Sequence, residues 1–341
     1  MSKPPPPARK RPTILSIAEV AGVSKSVVSR ALRGEPGVSE RSRKAVFDAV
    51  AELGYSPNAA ARSLVQQRSY NVGLLISDLS NPFFAVVLEG IDDVAAQHGY
   101  RPVITTSNRD PRSEAAALQQ LLELRTDAIV LIGPRLPNDV VARATEAVPV
   151  VSLEGSVRTP RVDIVLNDDR TGARLAVEHL VSLGHERIAH IDGGAAYAAQ
   201  ERRAGYEETM AAFGLTPRSV SGGFTEDGGF QGVHRLFSQD RPRPTAITTS
   251  NDLAAIGALN ALEKLGYDVP GDVSLVGYDN TYLAGLRHIS LTTINQLGFD
   301  MGRIAMEAAL RRMERPDARA RRHLLPPELV VRASTGPPPA A

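Results

Sequence analysis

Side chains that could bind a small polar molecule recur near the ends of short apolar runs over residues 69–335. Such runs are typical of buried strands in α/β sheets, which bind ligands at the carboxyl ends of their strands. Carboxylates, amides and a guanidinium group hold hydroxyl groups in bidentate pairs, and an aromatic ring covers the apolar side of a ligand ring. The candidate binding residues are Ser77, Asn81, Phe83, Asp168, Arg202, Phe224, Asn251, Asp252, Asp279 and Gln296.

Each of these residues also has a simpler interpretation. An Asn or Asp after a strand often caps the next helix, and Phe83 or Phe224 could belong to a hydrophobic core. Catalysis is not indicated, because the sequence lacks the G-x-x-x-x-G-K-[ST], H-E-x-x-H and G-x-S-x-G motifs. His185 and His190 lie around a strand without a carboxylate constellation, and there is no cysteine. We therefore expect no catalytic residue, no bound metal and no cofactor.

Two series of alternating strands and helices position the candidate residues. The first runs through "NVGLLISD", "RPVITTS", "DAIVLIG" and "VPVVSL", and the second through "RIAHIDGG", "PTAITTS" and "VSLVGYD". Amphipathic stretches such as "EAAALQQLLELR" separate the strands. This alternation predicts an α/β body of doubly wound parallel sheets, and two such series predict two facing lobes with a cleft between them.

Charge is unevenly spread along the 341 residues. Residues 1–68 carry twelve Lys and Arg against five acidic residues, a net charge of +7. The whole chain has a net charge of +1, which leaves −6 for residues 69–341. A basic head on a mildly acidic body indicates a polyanion as the partner of the head, although solvated basic tails are also common.

The stretch "SIAEVAGVSKSVVSRAL" predicts two short helices with a tight join. Ser16 can cap the first helix and Ser24 the second. Ala18 is small where two helices cross, Gly22 suits the turn, and Val28 lies on the inner face of the second helix. A third helix, "SERSRKAVFDAVAELGY", can cover the first two. The spacing indicates a helix-turn-helix, with a generic helical hairpin as the alternative.

Four polar residues at the start of the second helix face outward when its apolar side is buried: Lys25, Ser26, Ser29 and Arg30. In a helix-turn-helix this end enters the major groove of DNA. Arg30 is the strongest candidate for a bidentate contact to guanine, while the serines could contact bases or phosphates. Further basic residues in the third helix could contact phosphates or form a solvated face; these are Arg41, Arg43 and Lys44.

The whole chain resembles the lactose-repressor (LacI) family. "SIAEVAGVSKSVVSRAL", "ELGYSPNAAARSL", "VGLLISDLSNPFF", "TAITTSNDLAAIGAL" and "PGDVSLVGYDN" are similar to its successive sequence blocks, in order, from about residue 13 to 335. Two positions depart from the family. Ser16 stands where the family usually has an acid, and Val27 replaces a threonine that contacts phosphate.

The resemblance gives a role to "PNAAARSLVQQR", residues 57–68, whose composition is helical but whose only large apolar side chains are Leu64 and Val65. In the family this segment is a hinge helix that folds over the minor groove when two protomers meet. Asn58 can cap it, the alanines up to Ala61 permit close approach, and Leu64 can wedge between base steps. The alternative is an alanine-rich linker with an incidental leucine.

The resemblance also implies the fold and the function. It implies a helix-turn-helix head, a two-lobed periplasmic-binding-protein-like body and a homodimer on double-stranded, pseudo-palindromic operator DNA. The ten candidate residues match positions at which family members contact effector. The function implied is that of a ligand-responsive transcriptional regulator, most simply a repressor. A sugar or sugar derivative is the leading effector class, and a nucleobase or nucleoside the second.

Domain boundaries follow from these assignments. We expect a disordered tail over 1–12, the head over 13–56, the hinge helix over 57–68, the effector-binding and dimerisation body over 69–335, and a flexible tail over 336–341. The last segment, "ELVVRASTGPPPAA", has no heptads for a tetramer. No apolar run suggests a secretion signal or membrane span, so we expect a cytoplasmic protein of a bacterium, on the nucleoid when bound to DNA. A sugar-processing enzyme fused to a DNA-binding head and a secreted solute-binding protein are the alternatives.

Overall fold

The computed structural model describes residues 12–32, 35–54, 68–107, 110–238 and 242–340. Two compact units, Met1–Ser69 and Tyr70–Ala341, divide the chain, and we describe each by itself. Almost all of the predicted N-terminal tail lies outside the described residues. So does the predicted hinge helix up to residue 67, including Asn58, Ala61 and Leu64.

The head is a cluster of helices α1 (Ile14–Ala21), α2 (Lys25–Leu32) and α3 (Glu40–Leu53). Its core is small and fully apolar, formed by Ile17, Val28, Ala31, Val46 and Ala49. The turn between α1 and α2 passes through Gly22 at φ 63°, a left-handed conformation that glycine adopts at little cost. The predicted helix-turn-helix is confirmed.

The cap of α1 differs from the prediction. Thr13, and not Ser16, is the N-cap: its hydroxyl accepts the Ser16 N–H (3.3 Å), and the Ser16 hydroxyl accepts the Thr13 N–H (3.2 Å). The helix begins at Ile14 because the extended Thr13 backbone and this reciprocal capping box satisfy the first amides. Ser24 does cap α2, accepting the Val27 N–H at 3.4 Å.

The body begins with a lobe built on a six-stranded sheet in the order β11-β5-β4-β3-β1-β2, with all neighbouring strands parallel. Its central strands are buried along their whole length, which explains their uninterrupted apolar sequences. The strands are β1 (Asn71–Ile76), β2 (Arg101–Thr106), β3 (Ala128–Ile132), β4 (Val150–Leu153), β5 (Val162–Asn167) and β11 (Arg322–Leu325). The helices are α4 (Pro82–Gln97), α5 (Pro111–Glu123), α6 (Asn138–Ala147) and α11 (Gly298–Glu314).

The second lobe repeats this plan in the order β12-β10-β9-β8-β6-β7, with only the β10–β12 pair antiparallel. The predicted α/β architecture of two doubly wound, mainly parallel sheets is confirmed. The strands are β6 (Ile188–Asp192), β7 (Ser219–Ser221), β8 (Ala246–Thr249), β9 (Ser274–Asp279), β10 (Thr292–Asn295) and β12 (Glu328–Val330). The helices are α7 (Asp169–Ser182), α8 (Tyr197–Ala212), α9 (Glu226–Phe237) and α10 (Asp252–Lys264).

The chain passes between the lobes at three crossovers, after β5, after β10 and after β11. The first crossover leads directly into α7 at Asp169, and the second carries Gln296 between β10 and α11. Polar residues on these segments therefore lie where the two lobes meet.

The predicted C-terminal tail is partly anchored. The Gly336 carbonyl lies within hydrogen-bond distance of Ser274 Oγ (3.0 Å) and His185 Nε2 (2.9 Å). The Gly336 N–H donates to Ser274 Oγ at 3.0 Å. Free movement is therefore excluded for Gly336, because buried partners in the second lobe hold its backbone. Separately, none of the described helices is long and apolar enough to cross a membrane.

Candidate functional site

A cavity separates the two lobes at the carboxyl ends of their strands. It encloses about 660 Å³ when its open mouth is included. Seven of the ten predicted binding residues line it: Ser77, Asn81, Phe83, Arg202, Phe224, Asp279 and Gln296. The strand-end rule therefore located the cavity correctly. The remaining lining residues are Asp78, Phe84, Gly133, Pro134, Arg135, Glu154, Ala196, Tyr197 and Ala198.

Arg202, on α8, is the buried cation of the site, with only 3% of its surface exposed. Its Nε donates to Asp169 Oδ1 at 2.8 Å, and its Nη1 donates to the Ser250 carbonyl at 2.5 Å. Nη1 also lies 3.6 Å from Asp279 Oδ1. Burial alone would lower the pKa of Arg202, but Asp169, Tyr278 and Asp279 raise it, so the guanidinium stays charged.

Two aromatic rings lie close to the Arg202 guanidinium group. The guanidinium carbon lies 3.7 Å from the centre of the Tyr278 ring and 5.8 Å from that of Phe224. At these distances the rings attract the guanidinium group by cation–π interactions, which add to its ion pairs because the cation is removed from water. Gly172 allows Tyr278 to approach α7, because a Cβ atom at Gly172 would lie 2.1 Å from the Tyr278 hydroxyl.

Asp279 joins the lobes across the floor of the cavity. Its Oδ2 accepts from Asn81 Nδ2 of the first lobe at 3.2 Å, and its Oδ1 accepts from Gln296 Nε2. Burial raises the pKa of Asp279 to about 7, opposed by Arg202 and reinforced by Asp252. Its backbone has φ 113°, a strained conformation for a residue with a side chain and one that clusters at functional sites.

Glu154 is a further carboxyl group in the cavity lining, and it was missed from the sequence. It directly follows β4, so the rule that selected the other candidates would have found it. Its backbone is left-handed at φ 56°, and its Oε1 accepts the Asn167 N–H at 3.2 Å. Burial first, and then the nearby Asp169, raise the pKa of Glu154 to about 8.

Three predicted binding residues do not line the cavity. Asp168 caps α7, accepting the Thr171 N–H at 3.2 Å, and Asn251 caps α10, accepting the Ala254 N–H at 2.9 Å. Asp252 is enclosed and accepts hydrogen bonds at both carboxylate oxygens, from Thr281 (2.7 Å to the backbone) and Thr293 (2.6 Å).

These three residues do not line the cavity but form hydrogen bonds at nearby helix starts and loops. Asn251 Nδ2 donates to the Phe224 carbonyl at 3.3 Å and so helps to fix the segment that carries that ring. Burial raises the pKa of Asp252 to about 6, although its hydrogen bonds from Thr293 and Thr281 and the charge of Arg332 lower it. The simpler interpretation, a helix cap, therefore describes the geometry of Asp168 and Asn251.

Tyr197, a residue of the cavity lining, makes a contact between the lobes. Arg158, after β4, places its guanidinium carbon 5.6 Å from the centre of the Tyr197 ring, at the start of α8. Arg135 is exposed at the rim, where its N–H donates to Glu114 Oε1 at 3.0 Å. Arg135 and Arg158 belong to the first lobe and Tyr197 to the second, so the Arg158–Tyr197 contact joins the two lobes beside the cavity.

The head presents a separate polar surface. Lys25, Ser26, Ser29, Arg30 and Glu35 border a shallow depression at the start of α2. Lys25 and Ser26 are exposed, and the Ser24 and Ser26 hydroxyls lie 2.9 Å apart. The predicted DNA-reading residues therefore share one accessible face. Among the described residues, no cluster of three or more His, Asp or Glu side chains could hold a metal ion.

Comparison with known proteins decides the family. Residues 13–58 match the bacterial regulatory proteins of the lacI family, and residues 177–335 match the periplasmic binding protein-like domain. The ribose operon repressor of Halalkalibacterium halodurans is 33% identical over 324 residues, which cover 95% of this chain and 97% of that protein. The chain belongs to the lacI family.

Solved structures of lacI-family proteins agree with this membership. The lac repressor dimer bound to operator and the anti-inducer ONPF is 30% identical, with a TM-score of 0.85 over 96% of this chain and all of that one. A lacI-family regulator from Enterococcus faecium with bound ribose is 26% identical, with a TM-score of 0.72 over 78% of this chain and 99% of that one. This lacI-family chain is therefore a DNA-binding transcriptional regulator and not an enzyme, and the prediction from the sequence is confirmed.

Proposed function

We propose that this regulator is a repressor whose homodimer binds a pseudo-palindromic operator and responds to a small metabolite in the interlobe cavity. The observation that carries the proposal is that one chain combines an exposed recognition surface on α2 with a cavity lined by Arg202, Asp279 and aromatic rings. The lac repressor structure, a dimer on operator, supports the DNA half. The ribose-bound relative supports the ligand half.

The effector class we favour is a sugar or sugar derivative. Asp279, Asn81 and Gln296 supply carboxylate and amide groups for hydroxyls, and Phe83 and Phe224 supply apolar faces. The same rings suit a nucleobase, so a nucleoside is the second candidate. Asp168, Asn251 and Asp252 then act indirectly, through the helix starts and the loops that they hold.

On DNA, Arg30 contacts a guanine edge in the major groove, and Lys25, Ser26 and Ser29 contact bases or phosphates. Ser16 and Ser24 contribute where their helix starts approach the backbone. Over the hinge segment, we propose that Asn58 and Ala61 allow paired helices to form and that Leu64 wedges into the minor groove.

The link between the two sites is a change in how the lobes meet. The Asn81–Asp279 hydrogen bond and the Arg158–Tyr197 contact both join one lobe to the other, and Asn81, Asp279 and Tyr197 line the cavity. An effector that binds one arrangement of the lobes more tightly shifts the population towards it, and only that difference in affinity can alter operator binding. We place the protein in the bacterial cytoplasm, and on the nucleoid when it is bound to DNA.

Selection of duplexes from a random library with the full-length protein tests the DNA half. We expect a symmetric site whose affinity falls steeply with salt, because phosphate contacts release counterions. A flat salt response or equal affinity for random duplex would contradict the proposal. A metabolite screen by thermal denaturation tests the ligand half, since a ligand at 100 times its Kd stabilises by about 2.7 kcal/mol.

A further inference from the structure

The sheet of the first lobe has two ends with different surroundings. Its six strands run parallel, so their carboxyl ends border the cavity and their amino ends lie together on the opposite side. The chain arrives from the DNA-binding head at the amino end. There Tyr70 directly precedes β1, and its carbonyl accepts the Arg101 N–H at 2.9 Å. DNA held by the head is therefore tethered to the body at the amino end of this sheet.

Five exposed arginines cluster at the amino end, beside β5 and β11. Arg161 directly precedes β5, and the stretch from the end of α11 to the start of β11 supplies the other four. The Ile164 N–H donates to the Arg321 carbonyl at 2.9 Å, which brings that stretch alongside the start of β5. We call this surface the arginine patch; its members are Arg161, Arg315, Arg319, Arg321 and Arg322.

The positive charge of the arginine patch is not balanced by its surroundings. Among the residues that the structure describes, none of the five arginines forms an ion pair. Only two acidic residues, Glu314 and Asp317, lie in the same exposed stretch. Residues 69–341 as a whole have a net charge of −6, so the patch departs from the rest of the body. Its guanidinium groups have the planar fork that binds phosphate oxygens in bidentate pairs.

Buried contacts beneath the arginine patch hold its backbone. Asp163, in β5, is fully buried and accepts hydrogen bonds from the guanidinium groups of Arg311 and Arg312, in the last turn of α11. Asp163 Oδ1 also accepts the Arg321 N–H at 2.7 Å. One buried carboxylate thus joins the end of α11 and the stretch before β11 to β5, without using any guanidinium group of the patch. A partner that binds these arginines does not have to order the backbone that carries them, which favours binding.

We propose that the arginine patch is a second DNA-binding surface, which contacts the phosphate backbone of the duplex that the head binds. This inference rests on the proposed operator binding and adds a contact made by the body. Duplex DNA carries one negative charge per about 1.7 Å of its axis, so it offers several phosphates to five neighbouring guanidinium groups. Phosphate contacts carry no sequence information. The patch therefore adds affinity and orientation, while α2 reads the bases.

The first test compares operator binding by two triple variants of the full-length protein over a range of salt concentrations. The patch variant combines three substitutions: Arg315→Gln, Arg319→Gln and Arg322→Gln. The control variant removes the same charge from exposed positions of the second lobe: Arg174→Gln, Arg187→Gln and Lys264→Gln. Both variants should keep the Tm of the wild type, because the substituted side chains are exposed.

We expect the affinity of the patch variant to depend less steeply on salt. The slope of log affinity against log salt should become smaller by about two to three, since each lost phosphate contact contributes about 0.9. At low salt the affinity should fall at least about tenfold, while the preference for operator over random duplex stays as in the wild type. Arg319→Gln alone should reduce the slope by about one. The control variant should keep the slope and the affinity of the wild type.

A second test detects the DNA beside the arginine patch directly. The sequence contains no cysteine, so Arg319→Cys provides a unique attachment point for an iron chelate that cleaves nearby DNA. We expect cleavage of bound operator from this position. The same chelate attached through Lys264→Cys, in the second lobe, should leave the operator intact.

The outcomes separate the patch from the proposed function. A patch variant with the salt slope of the wild type, or a chelate at residue 319 that leaves the operator intact, overturns the inference, and an acidic protein would then be the partner to seek. A control variant weakened as much as the patch variant also overturns it, because total charge would then determine affinity. If the wild type prefers no operator over random duplex, the proposed function fails instead. The salt slope of the patch variant on random duplex then decides the role of the patch independently.

Discussion

Replacing Glu154 by glutamine should make the protein more stable at alkaline pH and change little at acid pH. Burial, reinforced by Asp169 and Asp279, raises the pKa of Glu154 to about 8, compared with an ordinary value of 4.5 in the unfolded chain. Between these two values the folded protein keeps a proton that the unfolded chain has lost. Because the folded-state pKa is raised, stability is greatest below about pH 4.5 and falls as the pH rises through about 8.

The size of the change in stability follows from the linkage between protonation of Glu154 and folding. One pKa unit corresponds to about 1.4 kcal/mol, so Glu154 lowers the free energy of unfolding at pH 8 by on the order of a few kcal/mol. Glutamine keeps an oxygen that can accept the Asn167 N–H, now 3.2 Å away, and has no charge to bury. For a body of this size each kcal/mol shifts Tm by about 2–4 °C, and we expect Glu154→Gln to melt about 5–10 °C above wild type at pH 8.

The measurement is calorimetric melting of both proteins from pH 5 to 8.5, with Glu146→Gln as the exposed control. The difference between Glu154→Gln and wild type should grow with pH, while the control follows wild type. Parallel curves, or a variant that melts early at pH 8, would show that Glu154 is ionised and stabilised by Arg202, and would refute the reasoning.

Three further substitutions test the site and the hinge. Arg202→Ala leaves Asp169 buried without its cation, so chemical denaturation should show a loss of about 3–5 kcal/mol and calorimetry a loss of effector binding; an unchanged affinity would mean that the cavity is misassigned. Gly172→Ala places a Cβ atom 2.1 Å from the Tyr278 hydroxyl, and the overpacking should cost about 1–3 kcal/mol in unfolding titrations; a variant as stable as wild type would contradict this close approach. Leu64→Ala should leave the Tm of the free protein unchanged but weaken operator binding and reduce the DNA bend in a fluorescence assay; early melting with normal bending would overturn the hinge interpretation.

The sequence located the cavity because the ends of parallel strands meet at one edge of each sheet. It could not decide which way each side chain points. Asp168 and Asn251 both follow strands, but their oxygens bond to the first turn of the next helix. Asn81 does the same, accepting the Phe83 N–H, yet its amide nitrogen also reaches Asp279. A short side chain at a helix start can therefore be a cap, a ligand-facing group or both, and only the packed structure distinguishes these cases.

Residues missed from the sequence have two different causes. Glu154 directly follows β4, as the chosen candidates follow their strands, so the same rule applies to it. Tyr197 and Ala198 could not be found in this way, because they lie at the start of α8, beyond a loop whose path the local sequence does not set. Three strands next to the crossovers, β5, β11 and β12, escaped prediction because three to six residues give little periodicity.

The position of the crossovers explains how a ligand in the cavity could alter contacts made by both lobes. Asn167 ends the last strand before the first crossover, and Asp169 begins the helix after it, where it pairs with Arg202. Gln296 occupies the second crossover and donates to Asp279, which also accepts from Asn81 of the first lobe. A ligand that takes over the Asp279 carboxylate competes with Asn81 and Gln296 at the same time. If Asp279 binds the ligand as proposed, the contact that joins the lobes and the contact that binds the ligand share one acceptor, and occupation of the cavity would change the free energy of the lobe arrangement.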